Sequence, residues 1–370
     1  MMNTIIPLYA DVLGASPTYV GIVAGVFGVT ALASRPFAGP AFDSFSKKWM
    51  LFGSVALIVV ATFLYGIASS VEALIAVRLL HGLAMGVSGP LGLARVVETL
   101  PPSRISSGVG VYTLAQAVGM AAGPAIGIWL SLEFGFQLAF TCAGAVMIIA
   151  LLMLFFLKDS PDQVRKPYEL KLSRMFAREA IMPAVLMLLL MSSFCCTVSF
   201  LAIFAGLLGV EGIGLSFTVY ALCMVLTRPI FGSLADKFGS AKVLIPAMFC
   251  FAISFVVTSQ ARSLDMFIVA AVIASCGFGA CNPLVQAIAM KLVSDDARGA
   301  GSNTTYAGMD IANLAGPAFA GAVIEYLRDM TGSEVVAYTD MWLVMIAPIV
   351  IAFVIFVVWL CIHRDKRRVI

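Results

Sequence analysis

One carboxylate and one guanidinium stand where the sequence is otherwise apolar. Asp310 is the only acidic residue deep within an apolar run, about eleven residues inside it. Arg78 lies about six residues into another run, and His81 follows three positions later. An ionisable side chain in such a segment is costly, and as a rule it faces a bundle interior where it pairs or lines a water-filled path. A carboxylate with few charges near it can carry a proton, a histidine titrates near neutrality and an arginine supplies a fixed positive charge. That set moves protons and balances charge; it does not cut covalent bonds. Arg78 is also close enough to its helix start to snorkel, and His81 reads equally well as a packing residue. Uncharged polar side chains recur in the same runs: Tyr112, Thr113 and Gln116, then Asn282 and Gln286, then Asn303, Tyr306 and Asn313. They are candidates to line a cavity for a small organic molecule. Ser192, Ser193, Thr197 and Ser199 are weaker ones, because a hydroxyl is cheaply buried by bonding its own helix.

Other chemistries lack their residues. The eight cysteines all fall within apolar runs, none at metal-ligand spacing with a histidine, and read as small packing residues. His81 and His363 cannot build a metal site alone. No nucleotide-binding loop and no catalytic constellation occurs, so neither a cofactor, a metal nor an enzymatic activity is expected.

Composition says what must hold the charged pair. The chain has 370 residues, 61% hydrophobic and 12% charged, with a mean hydropathy of +1.02. A soluble domain carries roughly 25% charged residues. So much apolar surface excludes a soluble enzyme, a nucleic-acid reader and a disordered chain. Long unbroken apolar runs exclude an outer-membrane barrel, whose strands alternate. An all-α membrane protein remains. Full spans are predicted at 18–42, 49–68, 72–95, 104–131, 135–157, 181–204, 211–234, 241–260, 264–291, 297–324 and 338–362, which makes eleven. Before them, Met1 to Ala10 is too short to cross a hydrocarbon core of roughly 30 Å, and it lacks the basic start of a signal peptide.

The long polar stretch 158–180, with six basic residues and two prolines, reads as a linker. Placing it on one face with the loops at 43–48, 96–104, 236–242 and 292–298 and with the C-terminal tail gathers 20 of the 23 basic residues there. Arg35 and Arg228 are counted in that total as helix-end residues; Arg262 and Arg328 fall on the opposite face and Arg78 inside a span. The positive-inside bias then predicts a cytoplasmic linker and C-terminus in a multi-pass protein of the plasma membrane, with the lipid bilayer as a partner and no nucleic acid.

The chain also repeats itself. A shift of 193 residues brings Arg35-Pro36 onto Arg228-Pro229, Gly39 onto Gly232, Asp43 onto Asp236, Gly86 onto Gly279, Pro90 onto Pro283 and Gly123-Pro124 onto Gly316-Pro317. Two parallel six-helix bundles follow, residues 1–157 and 181–370, with the substrate site expected between them near the midplane. The repeat places the start of the first helix about a dozen positions before Met1, so that helix is expected to be incomplete.

Three motifs carry a family resemblance. Gly39-Pro-Ala-Phe-Asp43-Ser-Phe-Ser-Lys47-Lys48 and its copy Gly232-Ser-Leu-Ala-Asp236-Lys237-Phe-Gly239-Ser-Ala-Lys242 resemble the G-x-L-x-D-R-x-G-R-K signature of the major facilitator superfamily. The first copy departs from it at Ser44 and Ser46. Glycine permits close helix contact, the aspartate can meet a helix N-terminus and the basic residues anchor the loop to an anionic surface. The resemblance implies a latch for the cytoplasmic gate. Arg78 to Gly86, with Gly82 between, resembles the R-x-x-x-G-x-x-x-G element of proton-coupled members. Gly110, Gly119, Gly123, Pro124 and Gly127 are similar to the antiporter motif G-x8-G-x3-G-P-x2-G-G, departing only at Ile128. The resemblance covers essentially the whole chain. It implies the major facilitator fold and secondary active transport, with proton-coupled efflux by alternating access as the leading expectation and Asp310, Arg78 and His81 as coupling candidates. Uptake of a sugar or organic acid is the alternative, and a transport-inactive chain with a short first helix is the third reading.

Overall fold

The computed structural model describes residues 1–98, 105–157, 176–293 and 298–363. Among them every regular element is helical: α1 (Met2–Val12), α2 (Pro17–Gly25), α3 (Phe27–Ser44), α4 (Lys47–Ile67), α5 (Val71–Glu98), α6 (Ile105–Phe134), α7 (Phe136–Phe155), α8 (Ile181–Leu207), α9 (Gly214–Phe238), α10 (Ser240–Gln260), α11 (Leu264–Leu292), α12 (Arg298–Thr331), α13 (Glu334–Val344) and α14 (Ala347–Ile362). A 3-10 turn, Arg178–Ala180, leads into α8. Among the described residues ten segments are long and apolar enough to cross a membrane. The 30-residue α6 is the eleventh by length, and α1, with 11 residues, spans only about 16 Å at 1.5 Å per residue. Two predicted spans are broken. The segment 18–42 divides into α2 and α3 at Val26, and 338–362 divides into α13 and α14, where Pro348 in the first turn of α14 removes a backbone donor. The linker residues 158–175 and the tail 364–370 lie outside the described residues.

The 193-residue offset holds in three dimensions. Lys47 and Ser240 start α4 and α10, and Val71 and Leu264 start α5 and α11. Among the described residues each half has six helical segments, counting α2 with α3 and α13 with α14 as one each. Within the halves α4 packs on α5 and α7, and α10 on α11. In the second half, Phe204 stacks on Tyr338 and, with Phe255, meets Trp342. On α7, Val146, Ile149, Leu152 and Met153 are exposed, an apolar face that only lipid suits.

The halves meet through α2 and α3 against α12, α6 against α9, and α1 against α8. The α2–α12 seam is closest at the end away from the basic loops. A methyl built on Gly21 would lie 2.9 Å from the Cα of Ala318, one on Gly25 2.8 Å from that of Leu314, and one on Gly321 2.9 Å from that of Thr18. Bare glycines let the backbones touch, the packing that holds helices together when lipid is as apolar as their side chains. The Ser16 hydroxyl donates to Glu325 across the same seam at 3.3 Å.

Candidate functional site

Helix α12 carries the acid. Asp310 lies roughly 18 Å along it from Arg298. Tyr306 and Asn313 occupy positions four before and three after, on the same face. Opposite them stands Arg35 of α3. Its Nε donates to Asp310 Oδ2 and its Nη2 to Oδ1 at 3.1 Å, so the fork is bidentate. The side chains are 16% and 8% exposed. The Tyr306 ring centroid is 5.0 Å from the guanidinium carbon, and Asn313 Oδ1 accepts from the Cys195 thiol of α8 at 3.0 Å. Asp310, Tyr306 and Asn313 are thus brought together as the spacing predicts, at the contact between the halves.

The partner is a residue that sequence reasoning places elsewhere, at a helix end on the basic face. The helix instead runs on to Ser44, which leaves Arg35 about 14 Å inside it. The signal available is the Arg-Pro pair repeated in both halves, since a mere anchor has no need of a fixed register.

Arg78 is not joined to Asp310. It is 1% exposed. Its Nε donates to the Val23 carbonyl at 2.9 Å, Nη2 to the Ala24 carbonyl at 2.7 Å and Nη1 to Asn3 Oδ1 at 3.2 Å. The Phe27 ring centroid lies 4.8 Å away. The two carbonyls lie in the last turn of α2, just before the break at Val26; Arg78 bonds them there and joins three helices. His81 is buried beside it, with Nδ1 3.1 Å from the Tyr65 hydroxyl. Replacing Arg78 with methionine should therefore cost about 3 kcal/mol or more, the scale for emptying a buried charged hydrogen-bond set. A thermal unfolding midpoint within a degree of the parent would refute that assignment.

The two signature loops solve one turn in two ways. Gly239 sits between α9 and α10 at φ +92°, a conformation that favours glycine. Its repeat counterpart Ser46 has φ −64° and caps α4, its side chain accepting from the Trp49 amide at 3.5 Å. That is why the first copy can depart from the glycine of the signature. Gly239→Ala should destabilise the second half by about 1 kcal/mol, while Ser46→Gly should change stability by only a few tenths; paired thermal melts test the contrast. Lys48 donates to the Phe155 carbonyl at 3.0 Å, and the Lys237 ammonium is 5.3 Å from the Phe238 ring centroid. Gly232 is exposed and Lys242 lies near the start of α10. Lys47 stands in the first turn of α4. Gly39, Asp43 and Asp236 are in helix, but their side chains lie outside the described residues.

In α6, Gly123 and Gly127 face Met1 of the first-half bundle, a built Cβ on each lying 2.8 Å from Met1 atoms. Pro124 is buried, whereas a Cβ on Gly119 would meet nothing within 4 Å. Gly316 of α12 likewise packs on Ser192 of α8. The motif glycines of the two halves therefore seat each Gly-Pro helix on the opening helix of its own half. Gly110, Tyr112, Thr113, Gln116 and Asn303 lie outside the described side chains. Asn282 and Gln286 bond each other along α11 at 2.7 Å.

The sequence profile of the Major Facilitator Superfamily matches residues 1–213 and 208–369, so two matches cover both halves. The chain belongs to the major facilitator superfamily. As a member it is a multi-pass secondary transporter and not an enzyme. It is 24% identical over 256 residues to an MFS-type transporter of Methanocaldococcus jannaschii, the match spanning 65% of each chain. It is 25% identical over 342 residues to the multi-drug resistance efflux pump PmrA homolog of Lactococcus lactis, covering 87% of this chain and 83% of that one. Among solved structures it is similar to the nucleoside transporter NupG, with a TM-score of 0.79 at 14% identity over 96% of this chain and 94% of that one. The last likeness concerns the fold alone. Within the superfamily fold, the Arg35–Asp310 pair sits on a contact between the halves.

Proposed function

We propose that this transporter expels a small organic molecule in exchange for protons, with Asp310 as the proton carrier and Arg35 as the group it holds and releases. The observation that carries the reading is the bidentate pair itself. It is buried and it crosses the boundary between the halves. With Asp310 ionised, the pair binds α3 to α12. When a proton neutralises the carboxylate, the charge attraction goes and the Arg35 fork loses its anion, so protonation and the seam between the halves are one equilibrium. The efflux direction is supported by the helix motif at Gly110 to Gly127 and by the name of the Lactococcus relative.

In this reading the halves, residues 1–157 and 181–370, rock about a site near the midplane, flanked by Tyr306 and Asn313 with Tyr112, Gln116, Asn282, Gln286 and Asn303 as further cavity residues. The 158–180 linker and the tail are cytoplasmic, the chain acts as a monomer in the plasma membrane, and the close α2–α12 seam is the outer gate in its shut position. Arg78 and His81 support the α2–α3 junction from within the first half.

Everted membrane vesicles test this. A respiration-driven proton gradient is set up and the quench of an acridine dye followed. Adding an exported compound should release protons and reverse the quench in vesicles carrying the parent chain. No reversal across a panel of cationic, neutral and anionic aromatic compounds would count against proton-coupled export.

A further inference from the structure

The repeat gives each half an arginine at the same helical position, and the structure treats the two differently. Arg35 is neutralised by Asp310 from the other half. Its counterpart Arg228 stands on α9, the helix that packs against α6. The position 193 residues before Asp310 is Ala117, so α6 has no carboxylate at the matching place. Arg228 Nε is buried and has no hydrogen-bond partner among the described residues. The same is true of the hydroxyl of Tyr220, two turns earlier on the same helix.

Both point into the bundle. The exposed stripe of α9 is Leu215, Leu222, Leu226 and Ile230, and Phe217, Ala221, Met224 and Ala235 are buried. At 100° per residue, Arg228 falls in the middle of the buried stripe and Tyr220 at its edge. An arginine side chain on a helix leans toward the N-terminus, the direction in which Tyr220 lies. The Tyr220 ring is 5.7 Å from Phe194, which stacks on Phe278 at 4.2 Å. Arg228 is a donor only, Tyr220 can donate, and neither of these buried atoms has an acceptor among the described residues. A permanent charge inside a membrane bundle calls for a counter-charge or for carbonyl acceptors of the kind Arg78 has. Asp310 supplies it to Arg35, and α6 has none to offer Arg228 at the matching place.

We infer that Arg228 and Tyr220 form an anion subsite of the transport path, taking the carboxylate or phosphate of an organic substrate. This rests on the transporter reading above and narrows its substrate class to organic anions. Guanidinium suits such a group because its fork binds two anionic oxygens at once.

Binding is measured without any gradient, so its outcome is separate from that of proton coupling. The purified full-length chain in neutral detergent is melted with 3-phenylpropionate, 3-phenylpropionamide and 3-phenylpropylammonium at matched millimolar concentrations. The anion should raise the unfolding midpoint and the other two should not. Arg228→Met should weaken the anion response at least about tenfold, and Tyr220→Phe should weaken it by less. Arg228→Met should also be as stable as the parent when no anion is present, since it removes a charge with no partner; Arg35→Met should not. Equal or greater stabilisation by the ammonium or the amide, or no response to any of the three, overturns the inference from the parent protein alone. So does an Arg228→Met chain that fails to fold or melts as low as Arg35→Met, for that would reveal a structural partner; Arg228→Lys then serves to show whether charge alone restores the fold. A final arm uses nanodiscs of phosphatidylcholine with and without phosphatidylglycerol. Arg228-dependent stabilisation by the anionic lipid, with no response to 3-phenylpropionate, would assign the subsite to a headgroup and overturn the substrate reading.

Discussion

Asp310→Asn is expected to reduce proton-driven exchange to the level of vesicles that lack the protein. Asparagine keeps the shape of the side chain and an acceptor for Arg35, but it can neither bind nor release a proton. It also leaves the Arg35 charge uncompensated in a buried place, where breaking a pair costs about 3–5 kcal/mol. Loss of flux could then arise from loss of fold. The double variant Arg35→Met with Asp310→Asn separates the two. Removing both charges avoids the lone buried cation, and such replacements are often neutral or stabilising. Its unfolding midpoint should return to within a few degrees of the parent while exchange stays absent. Proton-driven exchange in either variant at the parental rate would sink the coupling assignment. Asp310→Asn alone should be the least stable of the set, because the arginine left in the seam cannot shed its charge, whereas the carboxylate left by Arg35→Met can take up a proton.

The second large effect concerns the seam at the far end from the basic loops. Gly21→Leu places a branched side chain where a methyl already collides with the backbone of Ala318. The neighbour is main chain and cannot rotate away, so α2 and α12 must separate. Overpacking of this kind costs about 1–3 kcal/mol, and here the strain is confined to the state in which the seam is shut. The variant should fold, favour the open seam and lose most of its turnover. A cysteine placed at Ser16, which now bonds Glu325 across the closure, reports the change. A membrane-impermeant maleimide should label it slowly in the parent background and rapidly with Gly21→Leu. Equal labelling in both would show that the glycine seam is not the gate.

Residue by residue, what the sequence announces divides cleanly from what it hides. Tyr306, Asp310 and Asn313 are legible as one face because helical spacing sets which side chains neighbour each other. The extra φ demand at Gly239 is visible as a glycine, but its relief at Ser46 by capping is not, since that choice depends on the path of the chain into α4. Arg78 stands out as an intramembrane charge, and its burial agrees with that signal. Its actual use, feeding donors to the Val23 and Ala24 carbonyls, depends on a helix break that no periodicity announces.

The sequence by itself determined the membrane class, the all-helical build and the 193-residue repeat, because apolar run length and self-similarity are properties along the chain. Only the tertiary structure decided that Arg35, and not Arg78, holds Asp310. That pair joins residues 275 positions apart. Whether two such charges meet depends on where α3 crosses α12, and glycines that let backbones touch set that crossing. The repeat supplies both halves with the arginine, but only the way the halves pack gives one of them an anion.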